Sequence, residues 1–203
     1  MRTARRVVVA RHGRTAWNVA GRYQGHADVP LDDEGRAQAA QLAERLAALQ
    51  PSLIVSSDLR RALDSAAPLA GAAGLPLVVD RRLREVDVGN WEGLTQAEVA
   101  ARHPGEWEAW NAGEDLRRGG GETRSDAAAR AVSSLLDHAA AVRDGGLLIA
   151  VSHGTVLRSA LRRLAAEGLV ELDHDPPHLA NATWLELTIA VPVADGGVAA
   201  NCG

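Results

Sequence analysis

The sequence predicts an α/β fold, a mainly parallel sheet with helices over both faces. Three observations carry this. Four short apolar runs, "VVVA" (7–10), "SLIVSS" (52–57), "LPLVV" (75–79) and "LLIAVS" (147–152), lack the alternation of a half-exposed strand, so both their faces read as buried. Segments with helical spacing stand between them, which is the strand–helix order of a parallel sheet. No linker or internal repeat divides the 203 residues, so 1–203 reads as a single domain.

The elements follow in order. Residues 7–10 form the first strand. A helix is expected at 33–48, with Asp32 as N-cap, Asp33 and Glu34 in the first turn, and Ala39, Leu42, Ala43, Leu46 and Leu49 along one face. The second strand lies at 52–57. The helix after it lines up Leu59, Ala62, Leu63, Ala66, Leu69 and Ala73. The third strand lies at 75–79. The stretch 80–122 reads as irregular, apart from helices at 95–102 and around 104–111. "GGGE" (119–122) breaks the chain before a long helix at about 123–143. The fourth strand at 147–152 leads into a helix at 155–166. In "ATWLELTIAV" (182–191), Trp184, Glu186 and Thr188 alternate with Leu185, Leu187 and Ile189, the mark of a more exposed strand. The last twelve residues, rich in Gly, Ala and Val, read as an edge strand or a loose tail.

Composition excludes several classes. The formal net charge is -4, whereas a non-specific nucleic-acid binder is usually basic. No apolar run approaches the roughly 18 residues of a membrane span. The basic start "MRTARR" precedes an apolar run that Arg11 cuts too short for a signal peptide. Cys202 is the one cysteine, so no internal disulfide is expected, which fits a reducing cytoplasm. All 22 basic residues are arginine, so any phosphate or carboxylate contact must come from a planar, permanently charged guanidinium.

The chemistry-bearing residues lie beyond the strands, where parallel sheets bind ligands. Arg11, His12 and Gly13 follow the first strand. "SSDLRRA" (56–62) follows the second and puts Arg60 and Arg61 near a helix N-terminus. "RLREVDVGNWEG" (82–93), with Glu85, follows the third, and "SHG" (152–154), with His153 and Gly154, the fourth. Two arginines can hold a phosphate dianion bidentately, and helix N-termini add N–H donors. Gly13 and Gly154 let the backbone come close. Of two histidines, one can attack phosphorus and the other stabilise the group in transfer. A carboxylic acid can protonate the departing alkoxide. Such a set needs no metal and no other cofactor. "DHDPPH" (173–178) reads as a loop rather than a metal cluster because of its two prolines. The first strand lacks a following G-x-G-x-x-G, which tells against dinucleotide binding. His26, His103 and His138 read as ordinary surface or helix residues.

Taken together, "RHGRTAWN", "YQGHADVPLDDEG", "SSDLRRALDSA", "LREVDVGNWEG", "GGGE" and "VSHG" resemble the histidine phosphatase superfamily, the phosphoglycerate-mutase-like family, over nearly the whole chain. The resemblance implies a three-layer α/β/α sandwich, a phosphohistidine intermediate and a small-molecule phosphate ester as substrate. It leaves a homodimer open, although no stretch marks an interface. It matches His12 to the nucleophile, and Arg11, Arg61 and His153 to the rest of the phosphate pocket. Asn18 and Gln24 match further phosphate contacts, with Gly25 and Gly154 among the substrate-binding positions, and Glu85 matches the proton donor. Arg61 is chosen because the family pattern reads Ser-Asp-Leu-x-Arg-Ala. Arg60 should then face outward, since helical neighbours point about 100° apart.

Mutases of the family carry a longer segment between the acid and the second histidine. Only 68 positions separate Glu85 from His153, so a phosphatase is favoured. A module that merely binds phosphorylated ligands would be expected to lack the first histidine or the acid, and both are present. The roof over the site is expected at about 95–122, with 170–182 as a second contributor. There Trp107, Trp110, Arg117, Arg118 and Glu122 are candidates to grip the non-phosphate part of the substrate; the alternative is a helix that packs its tryptophans inward.

Overall fold

The computed structural model describes residues 1–192. Five strands, β1 (Arg2–Arg11), β2 (Leu53–Ser56), β3 (Leu77–Val79), β4 (Leu147–Ser152) and β5 (Trp184–Pro192), form one sheet in the order β3-β2-β4-β1-β5. The first four run parallel to their neighbours, and β5 pairs antiparallel with β1 at the edge. The helices are α1 (Ala16–Val19), α2 (Asp33–Ala47), α3 (Arg60–Ala73), α4 (Gln96–Arg102), α5 (Pro104–Asn111), α6 (Arg124–Ala141) and α7 (Gly154–Ala166).

Strand alternation separates two cores. Val8, Ala10, Ile54, Ile149 and Val151 pack with Leu42 and Leu46 of α2 and Leu69 of α3. Val7, Val9, Val55, Leu148 and Ala150 face the opposite way and pack with Leu135 of α6 and Leu157 and Leu161 of α7. The result is the three-layer α/β/α sandwich, with each central strand buried on both sides. A small third cluster (Val88, Trp91 and Val99, with Tyr23, Leu94, Trp107 and Trp110 against them) lies outside the sheet under α4 and α5.

The sequence reading needs two adjustments, and one expectation lies outside the described residues. β1 is longer than 7–10, because its polar start, Arg2–Arg6, pairs residue by residue with β5, where Arg6 meets Glu186. The short helix α1 was not expected; Thr15 and Asn18 cap it reciprocally. Of the last twelve residues, Pro192 ends β5 and the rest lie outside the described residues.

Candidate active site

The ends of β1, β2 and β4 bring the sequence motifs together. Arg11 pairs with Ser152 at the last rung of the β1–β4 ladder, and His12 N donates to Ser152 O at 3.1 Å. The His12 ring is buried, and its Nδ1 lies 2.7 Å from Gly13 O. A carbonyl only accepts, so Nδ1 carries the proton and Nε2 keeps its lone pair. Burial, then the charges of Arg61 and Arg11, hold His12 well below the usual histidine range, so the ring is neutral at physiological pH.

Two glycines let this loop close. A Cβ added at Gly13 would lie 2.4 Å from Gly35 O, and one at Gly35 would lie 2.0 Å from Arg14 O. Gly13 thus serves the approach of the loop to α2. Gly154, expected at the substrate, does not line the cavity described below: the nearest atoms to its missing Cβ are those of the Arg11 side chain, from 3.4 Å.

Arg61, fully buried in the first turn of α3, donates to Ala27 O (2.7 Å), Gly25 O (2.8 Å) and His153 Nδ1 (3.2 Å). Burial lowers it to about 10, so it remains charged at neutral pH. Arg60 is exposed, as helical geometry requires. His153 is fully buried, with its ring centroid 5.1 Å from that of His12. Its Nε2 meets Ser57 Oγ at 2.9 Å, so both its nitrogens are occupied and it stands behind His12 rather than on the cavity wall.

Asn18 Oδ1 accepts from Thr15 N (3.1 Å), Thr15 Oγ1 (3.0 Å) and Asn181 Nδ2 (3.2 Å), which turns its own amide N–H₂ away from these donors. Gly25 adopts a left-handed φ of 48°, and Glu92 Oε1 braces the turn after it through the N–H groups of His26 and Ala27. Gln24 Oε1 is buried without a partner among the described residues.

Glu85 sits on the N-terminus of α7. Oε2 accepts from Thr155 N at 3.0 Å, and Oε1 from Val156 N at 2.8 Å and Val86 N at 2.9 Å. His26, expected to be ordinary, bonds through Nε2 to Glu85 O at 2.9 Å, beside the site.

One cavity of about 180 Å³ collects Arg11, His12, Asn18, Gln24, Gly25, Arg61 and Glu85. Its wall also holds Arg22, Tyr23, Thr155 and Arg118. Of the five roof candidates, only Arg118 borders it. Trp107 and Trp110 pack on Trp91, with centroids 6.4 Å apart in each case. Arg117 pairs with Asp126, and Glu122 with Arg130. The segment 170–182 contributes by bracing: Leu179 O accepts from Arg11, and Asn181 Nδ2 donates to His12 O and Gly13 O.

Sequence reasoning missed Arg22, Tyr23 and Thr155 as wall residues, and Ser57 as the partner of His153. Thr155 follows "SHG" and Ser57 lies within "SSDL", so the motifs themselves were the available signal. In "DHDPPH", Asp175 is taken up by Arg158 and Arg162, and among the described residues no group of three or more His, Cys, Asp or Glu could hold a metal ion.

Comparison with known proteins places the chain among phosphatases of the same fold. Glucosyl-3-phosphoglycerate phosphatase of Mycolicibacterium vanbaalenii is 41% identical over 192 residues, covering 90% of this chain and 84% of that protein. Metal-independent phosphoserine phosphatase of Arabidopsis thaliana is 35% identical over 187 residues, 88% of this chain and 78% of that one. A solved structure of mycobacterial glucosyl-3-phosphoglycerate phosphatase with VO3 matches with a TM-score of 0.78 at 38% identity, over 90% of each chain. The model of the histidine phosphatase superfamily (branch 1) matches residues 7–193, and the chain belongs to that family.

Proposed function

We propose that this chain is a metal-independent phosphomonoesterase that works through a phosphohistidine on Nε2 of His12. The observation that carries the reading is the neutral His12 ring, its Nδ1–H committed to Gly13 O, standing with Arg11, Arg61 and Glu85 around one cavity. Arg11 and Arg61 hold the phosphoryl oxygens, and the amide N–H₂ of Asn18 and the side chain of Gln24 complete the cradle. His12 Nε2 attacks phosphorus while the ester P–O bond breaks. Glu85, in its acid form, gives its proton to the leaving oxygen. A water then attacks the phosphohistidine, Glu85 takes the water proton, the P–N bond breaks and inorganic phosphate leaves.

His153 acts in this scheme through Arg61 and His12 rather than by touching the ester. The chain works as one domain, with about 95–122 as its roof. The substrate is a small phosphate ester, a sugar phosphate or phosphoglycerate derivative. The relatives make glucosyl-3-phosphoglycerate the first candidate and phosphoserine the second.

The test is phosphate release from a panel of such esters with chelator present, with 3-phosphoglycerate followed in parallel for isomerisation. Fast release from one ester supports the reading. Isomerisation with little free phosphate would make the chain a mutase, and activity that is lost to chelator and restored by zinc or magnesium would overturn the metal-free scheme.

A further inference from the structure

One turn touches both working ends of the site. Gly25 borders the cavity, and the turn it begins gives its carbonyls to the phosphate arginine: Arg61 Nη2 donates to Gly25 O at 2.8 Å and Nη1 to Ala27 O at 2.7 Å. With Nε on His153 Nδ1, three of the five guanidinium N–H groups are spent on placing Arg61. One N–H on each terminal nitrogen is left for the phosphoryl oxygens. Where the two carbonyls stand therefore decides where those donors point. His26 of the same turn meets Glu85 O through Nε2 at 2.9 Å, so the turn also adjoins the backbone of the proton donor.

A single carboxylate holds this turn from the other side. Glu92 Oε1 accepts from His26 N at 2.5 Å and from Ala27 N at 3.0 Å. Ala27 N also meets Gln24 O at 2.9 Å, but His26 N has no other acceptor among the described residues. The fit is close, since a Cβ at Gly25 would lie 2.6 Å from Glu92 Oε1.

Glu92 itself stands on a firm base. It follows the fully buried Trp91, its own N–H donates to Gly89 O at 3.0 Å, and Gly93 N donates to Tyr23 O at 2.9 Å. It does not line the cavity, so its carboxylate reaches the site only through the turn. Burial lowers Arg61 to about 10, and Glu85 and Asp28 oppose that before Glu92 does. The guanidinium is therefore charged at neutral pH, and what Glu92 adds is placement.

We propose that Glu92 is a positioning residue for phosphoryl transfer, which through the turn 25–27 aims Arg61 at the phosphoryl group. The inference rests on the phosphomonoesterase reading and concerns a residue that touches neither the ester nor the nucleophile.

The experiment sets three variants against the wild type. Glu92→Gln keeps the reach and an acceptor oxygen, Glu92→Asp keeps the charge but is shorter by a methylene, and Glu92→Ala keeps neither. On the ester released fastest, kcat/KM should fall about a hundredfold in Glu92→Ala, as for a group misplaced by about 1 Å, with kcat falling more than KM rises. Glu92→Gln should stay within about fivefold of the wild type, and Glu92→Asp should fall between the two. Glu92→Asp above Glu92→Gln would mean that charge and not reach matters, and would overturn the proposal.

Binding is read separately, from the rise in unfolding midpoint with inorganic phosphate and with orthovanadate, a mimic of the five-coordinate transition state. Glu92→Ala should weaken phosphate about tenfold and vanadate more, because misaimed donors cost most in the transition-state geometry. A variant that is merely less stable would keep the wild-type ratio of the two affinities, and that result overturns the proposal. If Glu92→Ala does not fold, Glu92→Asp carries the same test. A vanadate preference lost with Glu92 in a chain that hydrolyses no ester would uphold the positioning role and sink the phosphatase reading. Ester hydrolysis with kcat, KM and vanadate preference unchanged in Glu92→Asp and Glu92→Ala would do the reverse.

Discussion

Nε of Arg61 donates to Nδ1 of His153, and that single bond decides where the His153 proton sits. A guanidinium cannot accept, so Nδ1 holds a lone pair, and the proton on Nε2 is given to Ser57 Oγ. The site thus pairs two neutral imidazoles with opposite tautomers, His12 protonated on Nδ1 and His153 on Nε2. Burial and the neighbouring arginines keep both well below the usual histidine value of 6.5.

The first prediction concerns acid. In the unfolded chain both histidines titrate near 6.5, whereas folded they stay neutral to lower pH. Below about 6.5 the unfolded state therefore binds protons that the folded state refuses, and stability falls as pH falls. The slope should reach about 1.4 kcal/mol per pH unit for each histidine, and vanish above neutrality. The depressed carboxylates Asp58 and Asp80 start from 3.8 and act only at lower pH, so the window from 6.5 to 5 belongs to the histidines. Urea unfolding across pH 5–8 checks this; a flat stability from 7 to 5 would show that the rings are not held neutral.

Replacing His12 by Ala should lower turnover at least about a thousandfold and remove covalent labelling by a radioactive phosphate donor. The same shift means that the acid limb of kcat/KM for the wild type should not be set by a group titrating at 6.5 on His12. Acid-quenched labelling and a pH–rate profile read the two points separately. Labelling retained in His12→Ala would move the nucleophile elsewhere.

Ser57→Ala tests the tautomer pair itself. It removes the acceptor of His153 Nε2–H in a fully buried place, at a stability cost of about 1–3 kcal/mol. With Ser57 gone, the His153 ring is free to rotate, and its ring proton resonances in NMR should broaden or shift. Unchanged His153 resonances would mean that Arg61 alone fixes the ring.

Much of the layout was legible because it depends on local signals. The unalternating runs at 7–10, 52–57 and 147–152 gave the central strands, and Asp32 gave the start of α2 through its bond to Gly35 N at 2.7 Å. The positions His12, Arg61, Glu85 and His153 were singled out because they follow strands, with Arg61 preferred to Arg60 on the family pattern. What they touch was less legible, since it depends on contacts distant in sequence. His153 meets Ser57 across 96 positions, and Glu85 meets Val156 across 71. The roof gave the poorest yield. Trp107 and Trp110 fill a small apolar cluster, Arg117 and Glu122 are spent on ion pairs, and no periodicity in 112–122 distinguishes Arg118 from its neighbour.

Gly13 and Gly35, which close the first motif onto α2, should be intolerant for a steric reason. Gly13→Ala would put a methyl group 2.4 Å from Gly35 O, and Gly35→Ala one 2.0 Å from Arg14 O, both against backbone that cannot step aside. Each should cost about 2–4 kcal/mol, or some 4–16 °C in unfolding midpoint for a chain of this size. Thermal unfolding reads it directly, and Gly71→Ala, whose Cβ would meet nothing within 4 Å, serves as the control. Equal midpoints for Gly13→Ala and Gly71→Ala would mean that the loop can open from α2 at no cost.

The last prediction gives the "GGGE" motif its work. Glu122 grips Arg130 through both oxygens, at 2.9 and 2.7 Å, and Arg130 in turn donates to Arg82 O, Arg84 O and Glu85 O at 2.7–2.8 Å. This one guanidinium holds the backbone that presents the Glu85 carboxylate to α7. Glu122→Gln should therefore lower kcat more than it changes KM, since it loosens a proton donor rather than a binding group. Arg130→Lys should do the same more severely, because a lysine cannot serve three carbonyls in one plane. If the two act through one chain of contacts, the double variant should be no worse than Arg130→Lys alone, with a coupling of about 0.5–3 kcal/mol. Additive losses in kcat would separate Glu122 from the donor and leave it a brace for the Asp87 turn, whose N–H it accepts at 3.1 Å.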